Sequence, residues 1–223
     1  MTEATATDSH LRAADGRVPG RRGRATRQRL LECTSRLLEH QTYRDLKVVD
    51  IAREAGTSPA TFYQYFPDVT TAILALADDM AEEGSEVLTR LVIDGPWKGA
   101  AGYATCERIS EGFLAFWDAH WPLMRVMELT AAEGDQRFRS IRVGLLNEFT
   151  IALSSVVSEF QRGGKAGTAS PMATAGALVS MLAHVAAHRY GFEDFEIRTQ
   201  ALKPAMANIL YVSVTGQKPP TSH

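Results

Sequence analysis

Apolar residues recur at helical spacing along almost the whole chain. Val48, Ile51, Ala52 and Ala55 fall at i, i+3, i+4 and i+7, the stripe of a short amphipathic helix. Gly56 follows, where a helix end accepts a left-handed residue. Thr57 or Ser58 can cap a second helix, and Pro59 suits its first position because its missing N–H would be unpaired there anyway. Phe62 and Phe66 then lie one turn apart and face inward, leaving Ala60, Thr61, Tyr63, Gln64 and Tyr65 for the other faces. A helix, a tight glycine turn and a helix opening on small polar residues predict a helix-turn-helix over 47–66.

The same periodicity predicts about nine helices and no strands. One runs from about Thr26 to His40 on a Leu30, Cys33, Leu37, Leu38 stripe, so three helices share a core over about 24–66. Phe66-Pro67-Asp68 ends the third, with Asp68 or Thr70 able to cap the next. A long helix is expected over 70–93, with a possible break at Gly84-Ser85. Further helices are expected over about 99–118, from Pro122 onward, over 136–161, from Pro171 to Tyr190 and from Phe195 or Glu196 to Val214. Pro204 predicts a kink or split in the last.

Charge changes the picture at one end. The net charge is only −2, yet Arg17, Arg21, Arg22, Arg24, Arg27 and Arg29 fall within 17–31 with no acid among them. A basic N-terminal arm on an acidic remainder suits an anionic polymer; a solvated tail is the alternative. Cys33 and Cys106 stand in no metal-spacing motif and are expected as buried free thiols. No uninterrupted apolar run has the length of a membrane span, and the N-terminus has no apolar signal-peptide core, so no membrane association and a cytoplasmic location are expected.

The motif Ile51-Ala52, Ala55-Gly56, Ser58, Thr61-Phe62-Tyr63, Tyr65-Phe66 resembles the N-terminal signature of the tetracycline-repressor (TetR) family of bacterial transcription regulators. It covers about 24–75; the remainder agrees in length and helicity. The resemblance implies an all-α fold divided into a disordered basic arm (1–22), a helix-turn-helix domain (23–68), a helical effector-binding and dimerisation domain (69–216) and a tail (217–223). It also implies a ligand-responsive repressor that binds a palindromic operator in double-stranded DNA as a homodimer and is released by a small hydrophobic effector. The alternative is a regulator working mainly through a protein partner. One departure is Val69, which stands where the family usually carries a phosphate-binding lysine.

An α-helix in the major groove meets base edges with the outward side chains near its N-terminus, here Thr57, Ser58, Ala60, Thr61 and Gln64. Gln64 has the amide geometry for a bidentate pair with adenine. Tyr63 and Tyr65 resemble backbone-contacting aromatics of the family, against the alternative that Tyr63 packs on the first helix. Lys47, Thr70 and Arg27 are expected near phosphate, and Arg21, Arg22 and Arg24 in the minor groove as an N-terminal arm. Tyr103, Phe113, Phe116, Trp117, Met124, Met127, Phe149, Met181 and His184 are candidates to line an effector cavity, although an aromatic stripe also describes plain core.

The resemblance also implies that the last two helices pair with their copies as a four-helix bundle; Ala173, Ala177, Val179, Ala183, Ala186 and Ala187, with Met206, Ile209, Leu210 and Val214, permit it, and ordinary core is the alternative. His184 and His188 are four residues apart, but no Cys or carboxylate motif accompanies them, so no metal is expected. No cofactor is expected either. With no G-x-S-x-G, phosphate-binding glycine loop or H-E-x-x-H, no enzyme activity is expected.

Overall fold

A computed structural model of the chain describes residues 20–164 and 167–220. Among these there are nine α-helices and no strand: α1 (Arg21–Leu38), α2 (Val48–Glu54), α3 (Pro59–Tyr65), α4 (Val69–Ile93), α5 (Gly99–Ala119), α6 (Trp121–Ala132), α7 (Gln136–Arg162), α8 (Pro171–His188) and α9 (Thr199–Thr215). A 3-10 segment, Arg189–Phe195, lies between the last two. The described residues divide into two compact units, one of 20–80 and 122–141, the other of 81–121, 142–164 and 167–220. The division falls inside α4, after the first residue of α6, and inside α7.

In the first unit, Leu30, Leu31 and Cys33 of α1, Ile51 and Ala52 of α2, and Phe62 and Phe66 are buried together with Ala72, Ile73 and Ala77 of α4. The Phe62 and Phe66 rings stand 5.6 Å apart. Arg36 ties α1 to α2: its guanidinium donates to Cys33 Sγ at 3.0 Å and to Glu54 at 3.4 Å. Burial raises the Cys33 thiol pKa, with Arg36 opposing the shift.

In the second unit α5 is the central helix, packed on α8 and α9. Phe113, Trp117, Phe149, Leu153, Leu182 and Leu210 lie in its core. Cys106 is buried there too, and burial pushes its thiol up to about 12. Both cysteines are free. Among the described residues, α7 has the length and mean hydropathy of a membrane span. Its apolar residues Leu145, Phe149, Leu153 and Val157 form a buried stripe within this unit, whereas Val143 and Ile151 are exposed.

Several boundaries differ from the periodicity. Helix α1 begins at Arg21 rather than near Thr26, so Arg21 and Arg22, expected in the disordered arm, are helical, as is Arg24. Their arginine side chains are good helix formers even without an apolar stripe. The rest of the expected arm, 1–19, lies outside the described residues. Helix α4 is continuous through Gly84. Glycine is needed there for close packing: a Cβ would come within 2.4 Å of the Phe116 ring and 2.7 Å of Leu145. Helix α8 gives way to the 3-10 segment at Arg189, before Gly191. Buried Arg189 donates to the Ala186 carbonyl and to Asp118, and the Tyr190 hydroxyl donates to Asp118 at 3.1 Å. Helix α9 runs through Pro204 without splitting.

Candidate nucleic-acid interface and effector region

The turn between α2 and α3 follows from its residues. Gly56 takes φ +64°. The Thr57 N–H reaches the Ala52 carbonyl at 2.9 Å and the Gly56 N–H the Arg53 carbonyl at 3.1 Å, the paired bonds of a Schellman ending. Ser58 Oγ accepts from the Thr61 N–H at 3.2 Å and lies 3.1 Å from the Thr61 hydroxyl. Ser58 is therefore the cap, and Pro59 opens the helix.

Helix α3 then has two unlike faces. Phe62 is fully buried, whereas Ala60 and Gln64 are exposed and Tyr63 is 52% exposed. Thr61 and Tyr65 are half-buried. The Tyr63 ring meets the edge of Phe62 at 5.9 Å, so its base is anchored while its body faces solvent. Lys47 is exposed at the N-cap of α2. Asp68 caps α4, its Oδ1 accepting from the Thr71 N–H at 2.7 Å and the Thr71 hydroxyl at 2.8 Å. Thr70, the other candidate cap, is left on the wall of an open groove of about 610 Å³. Lys47, Tyr63 and Thr70 share that groove with Tyr43, Arg44 and Val69.

The arginines of α1 divide. Arg21, Arg22 and Arg24 are exposed. Arg27 is half-buried, its guanidinium 5.2 Å over the Phe66 ring. Its Nε has no hydrogen-bond partner, and burial lowers its pKa, with Asp79 opposing. Arg27 thus packs α1 onto the end of α3.

The predicted effector residues separate as well. Phe113 stacks on Trp117 at 5.6 Å and meets Phe149 edge-on at 5.0 Å; Phe116 meets Trp117 edge-on at 5.6 Å. The Trp117 Nε1 is buried with no hydrogen-bond partner. Tyr103 sits apart, 5.8 Å from Tyr211. Burial raises its phenol pKa, reinforced by Glu107. Met124 and Met127 are buried in the first unit, and Met181 is half-buried on α8. His184 is exposed, its ring stacked on His188 at 4.2 Å. Among the described residues no three His, Cys, Asp or Glu side chains are grouped to hold a metal. An open groove of about 540 Å³, walled by Thr89, Ile93, Trp97, Ile151 and Val156 among others, holds none of the predicted effector residues.

Residues 30–69 match the model described as bacterial regulatory proteins, tetR family, and 88–221 match the tetracyclin repressor-like C-terminal domain. The second match alone spans more than half of the chain. This chain belongs to the TetR family. It is therefore a transcriptional regulator with an N-terminal helix-turn-helix. A curated relative, the HTH-type transcriptional regulator EthR of Mycolicibacterium smegmatis, is 27% identical over 159 residues, covering 70% of this chain and 71% of the relative. The fold is similar to that of a TetR-family transcriptional regulator from Mesorhizobium loti, with TM-score 0.68 and 15% identity over 88% of this chain and 98% of the other. It is also similar to the fatty acid degradation regulator FadR of Bacillus halodurans, with TM-score 0.64 and 14% identity over 87% and 97% of the two chains.

Within this TetR-family chain, sequence reasoning missed Tyr43 and Arg44. Both lie in the α1–α2 loop, which periodicity marks only as a linker. Their signal was a cation and an aromatic just before an α2 N-terminus already suspected of meeting phosphate. The small residues expected at a dimer interface also divide. Val179, Ala183, Ala186, Ala187, Met206, Leu210 and Val214 are buried within the chain itself. Ala173, Ala177 and Ile209 are exposed, together with Met172 and Val212.

Proposed function

We propose that this regulator is a ligand-responsive repressor that binds a palindromic operator as a homodimer in the cytoplasm and leaves it when a small hydrophobic effector binds. The two-faced α3 carries this reading. Its inward phenylalanines fix the helix, and its outward face offers Ala60, Thr61 and Gln64 to base edges. Thr57 and Ser58 stand at its N-terminus, where a major groove is met first. Tyr63, Tyr65, Lys47 and Thr70 contact phosphate around it. Arg21, Arg22 and Arg24 add sequence-independent attraction from the first turn of α1, whereas Arg27 serves packing.

One α3 reads few base pairs, so a second copy is required for a palindrome. The exposed faces of α8 and α9, with Ala173, Ala177, Ile209, Met172 and Val212, are small and apolar enough to pair. For the effector, the cluster of Phe113, Phe116, Trp117 and Phe149 is the best-supported contact. It combines aromatic surface with a donor, Trp117 Nε1, that has no protein partner.

A gel shift with DNA from upstream of the coding region tests the reading, alongside light scattering of the free protein. Retarded DNA and a dimeric mass are expected. A monomer with no DNA affinity at low salt contradicts it.

A further inference from the structure

We propose that Glu133, on the turn between α6 and α7, is an internal competitor for DNA: it holds Arg44, and Arg44 contacts a DNA phosphate when released. This rests on the DNA reading of the α2–α3 face. Arg44 walls the same groove as Lys47, Tyr63, Val69 and Thr70. It lies in sequence just ahead of the α2 N-terminus, so a phosphate near Lys47 is within its neighbourhood.

In the free protein Arg44 is ion-paired with Glu133 Oε1. The Tyr43 hydroxyl donates to the other oxygen of the same carboxylate at 3.4 Å. One acid, remote in sequence, thus occupies two donors beside the DNA-reading helix. Charge gives the pairing its consequence. The groove carries Arg44 and Lys47 against Asp68, and Glu133 cancels the surplus. Once Glu133 is displaced, the groove is net positive.

The pair is also built to be displaced. Arg44 is 61% exposed and Glu133 43% exposed. An ion pair in that setting is weak, because water screens both charges. A phosphate accepts a guanidinium bidentately and brings counterion release with it, so it outcompetes one exposed carboxylate. Glu133 lies in the segment matched by the C-terminal family model. A shift of the α6–α7 turn that brings Glu133 closer lowers DNA affinity; one that withdraws it raises affinity.

Fluorescence anisotropy of a labelled random-sequence duplex, read across a salt series, tests this with the full chain. Glu133→Gln is expected to tighten binding by about two- to fivefold, the scale of one exposed ion pair. Arg44→Ala is expected to weaken binding and reduce the salt slope by about 0.9, one phosphate contact. In the Arg44→Ala background, Glu133→Gln is expected to change nothing. Arg44→Lys is expected to restore the slope. Equal tightening by Glu133→Gln in both backgrounds would mean that the carboxylate acts only as a distant charge, and overturns the proposal. So does a salt slope indifferent to Arg44. Absence of any duplex binding by the wild type overturns the DNA reading itself, and the competition by Glu133 with it.

Discussion

Phe62 and Phe113 are both fully buried, and both touch other rings within 6 Å. Their settings differ. Phe62 sits on a seven-residue helix whose opposite face is open, so its neighbours divide cleanly. Phe66 packs inward and Gln64 faces out. Phe113 sits on a 21-residue helix whose large side chains Phe116 and Trp117 are also buried, along with Phe149 of α7. In the first setting, exposure separates the side chains that hold the helix from those open to solvent. In the second, the rings that make a core and the rings that would receive a ligand obey the same periodicity. What sets one of them apart is a polar atom without a partner, Trp117 Nε1.

The largest test of that contrast is Phe62→Ala. Truncating a fully buried phenylalanine costs about 3–5 kcal/mol, so denaturant unfolding followed by circular dichroism should show loss of the N-terminal helices and of DNA binding together. Retained DNA binding would mean that the outward face does not depend on the inward one. Next is Gly84→Ala, which forces a methyl group against Phe116 and Leu145. Overpacking of this kind costs about 1–3 kcal/mol, read as a lowered melting temperature. An unchanged melting temperature would mean that the α4 and α5 contact has slack. Ser58→Ala removes the α3 cap and is expected to cost about 0.5–2 kcal/mol, with amide exchange in α3 rising first.

The smallest effect concerns pH. His120, at the C-cap of α5, stands 4.5 Å from the Phe116 ring. Burial holds its imidazole below the ordinary 6.5, with Glu83 opposing. The native state therefore keeps the ring neutral after the unfolded chain has begun to take a proton. Its contribution to stability is complete above 6.5 and is lost as pH falls through the lowered native value. Urea midpoints measured across that range should fall less steeply for His120→Gln than for wild type; parallel profiles would show that His120 does not contribute.

Much of this was readable beforehand, and the limits have physical causes. The α2–α3 turn was legible because Gly56, Ser58 and Pro59 each meet a backbone requirement that few residues can meet. The start of α1 was not, because Arg21 to Arg29 offer helix propensity without an apolar stripe, and periodicity sees only the stripe. Gly84 pointed to a break because glycine weakens helices; its real reason is a ring arriving from α5, a tertiary fact. Arg27 belonged to a basic run that suggested DNA, and only the Phe66 ring beneath it assigns it to packing. The pairing of Tyr43 and Arg44 with Glu133 was hidden because Glu133 comes from a distant stretch of chain. The effector candidates were over-inclusive for the reason Phe113 illustrates: burial at helical spacing is common to both roles.

The most direct measurement is a selection of binding sites from random double-stranded DNA, run in parallel with wild type and Gln64→Ala. The expected wild-type result is a palindromic consensus. Gln64→Ala is expected to relax one position in each half-site, worth about 1–3 kcal/mol of discrimination, with no change in thermal stability. An identical consensus for both proteins would contradict base reading by the exposed face of α3.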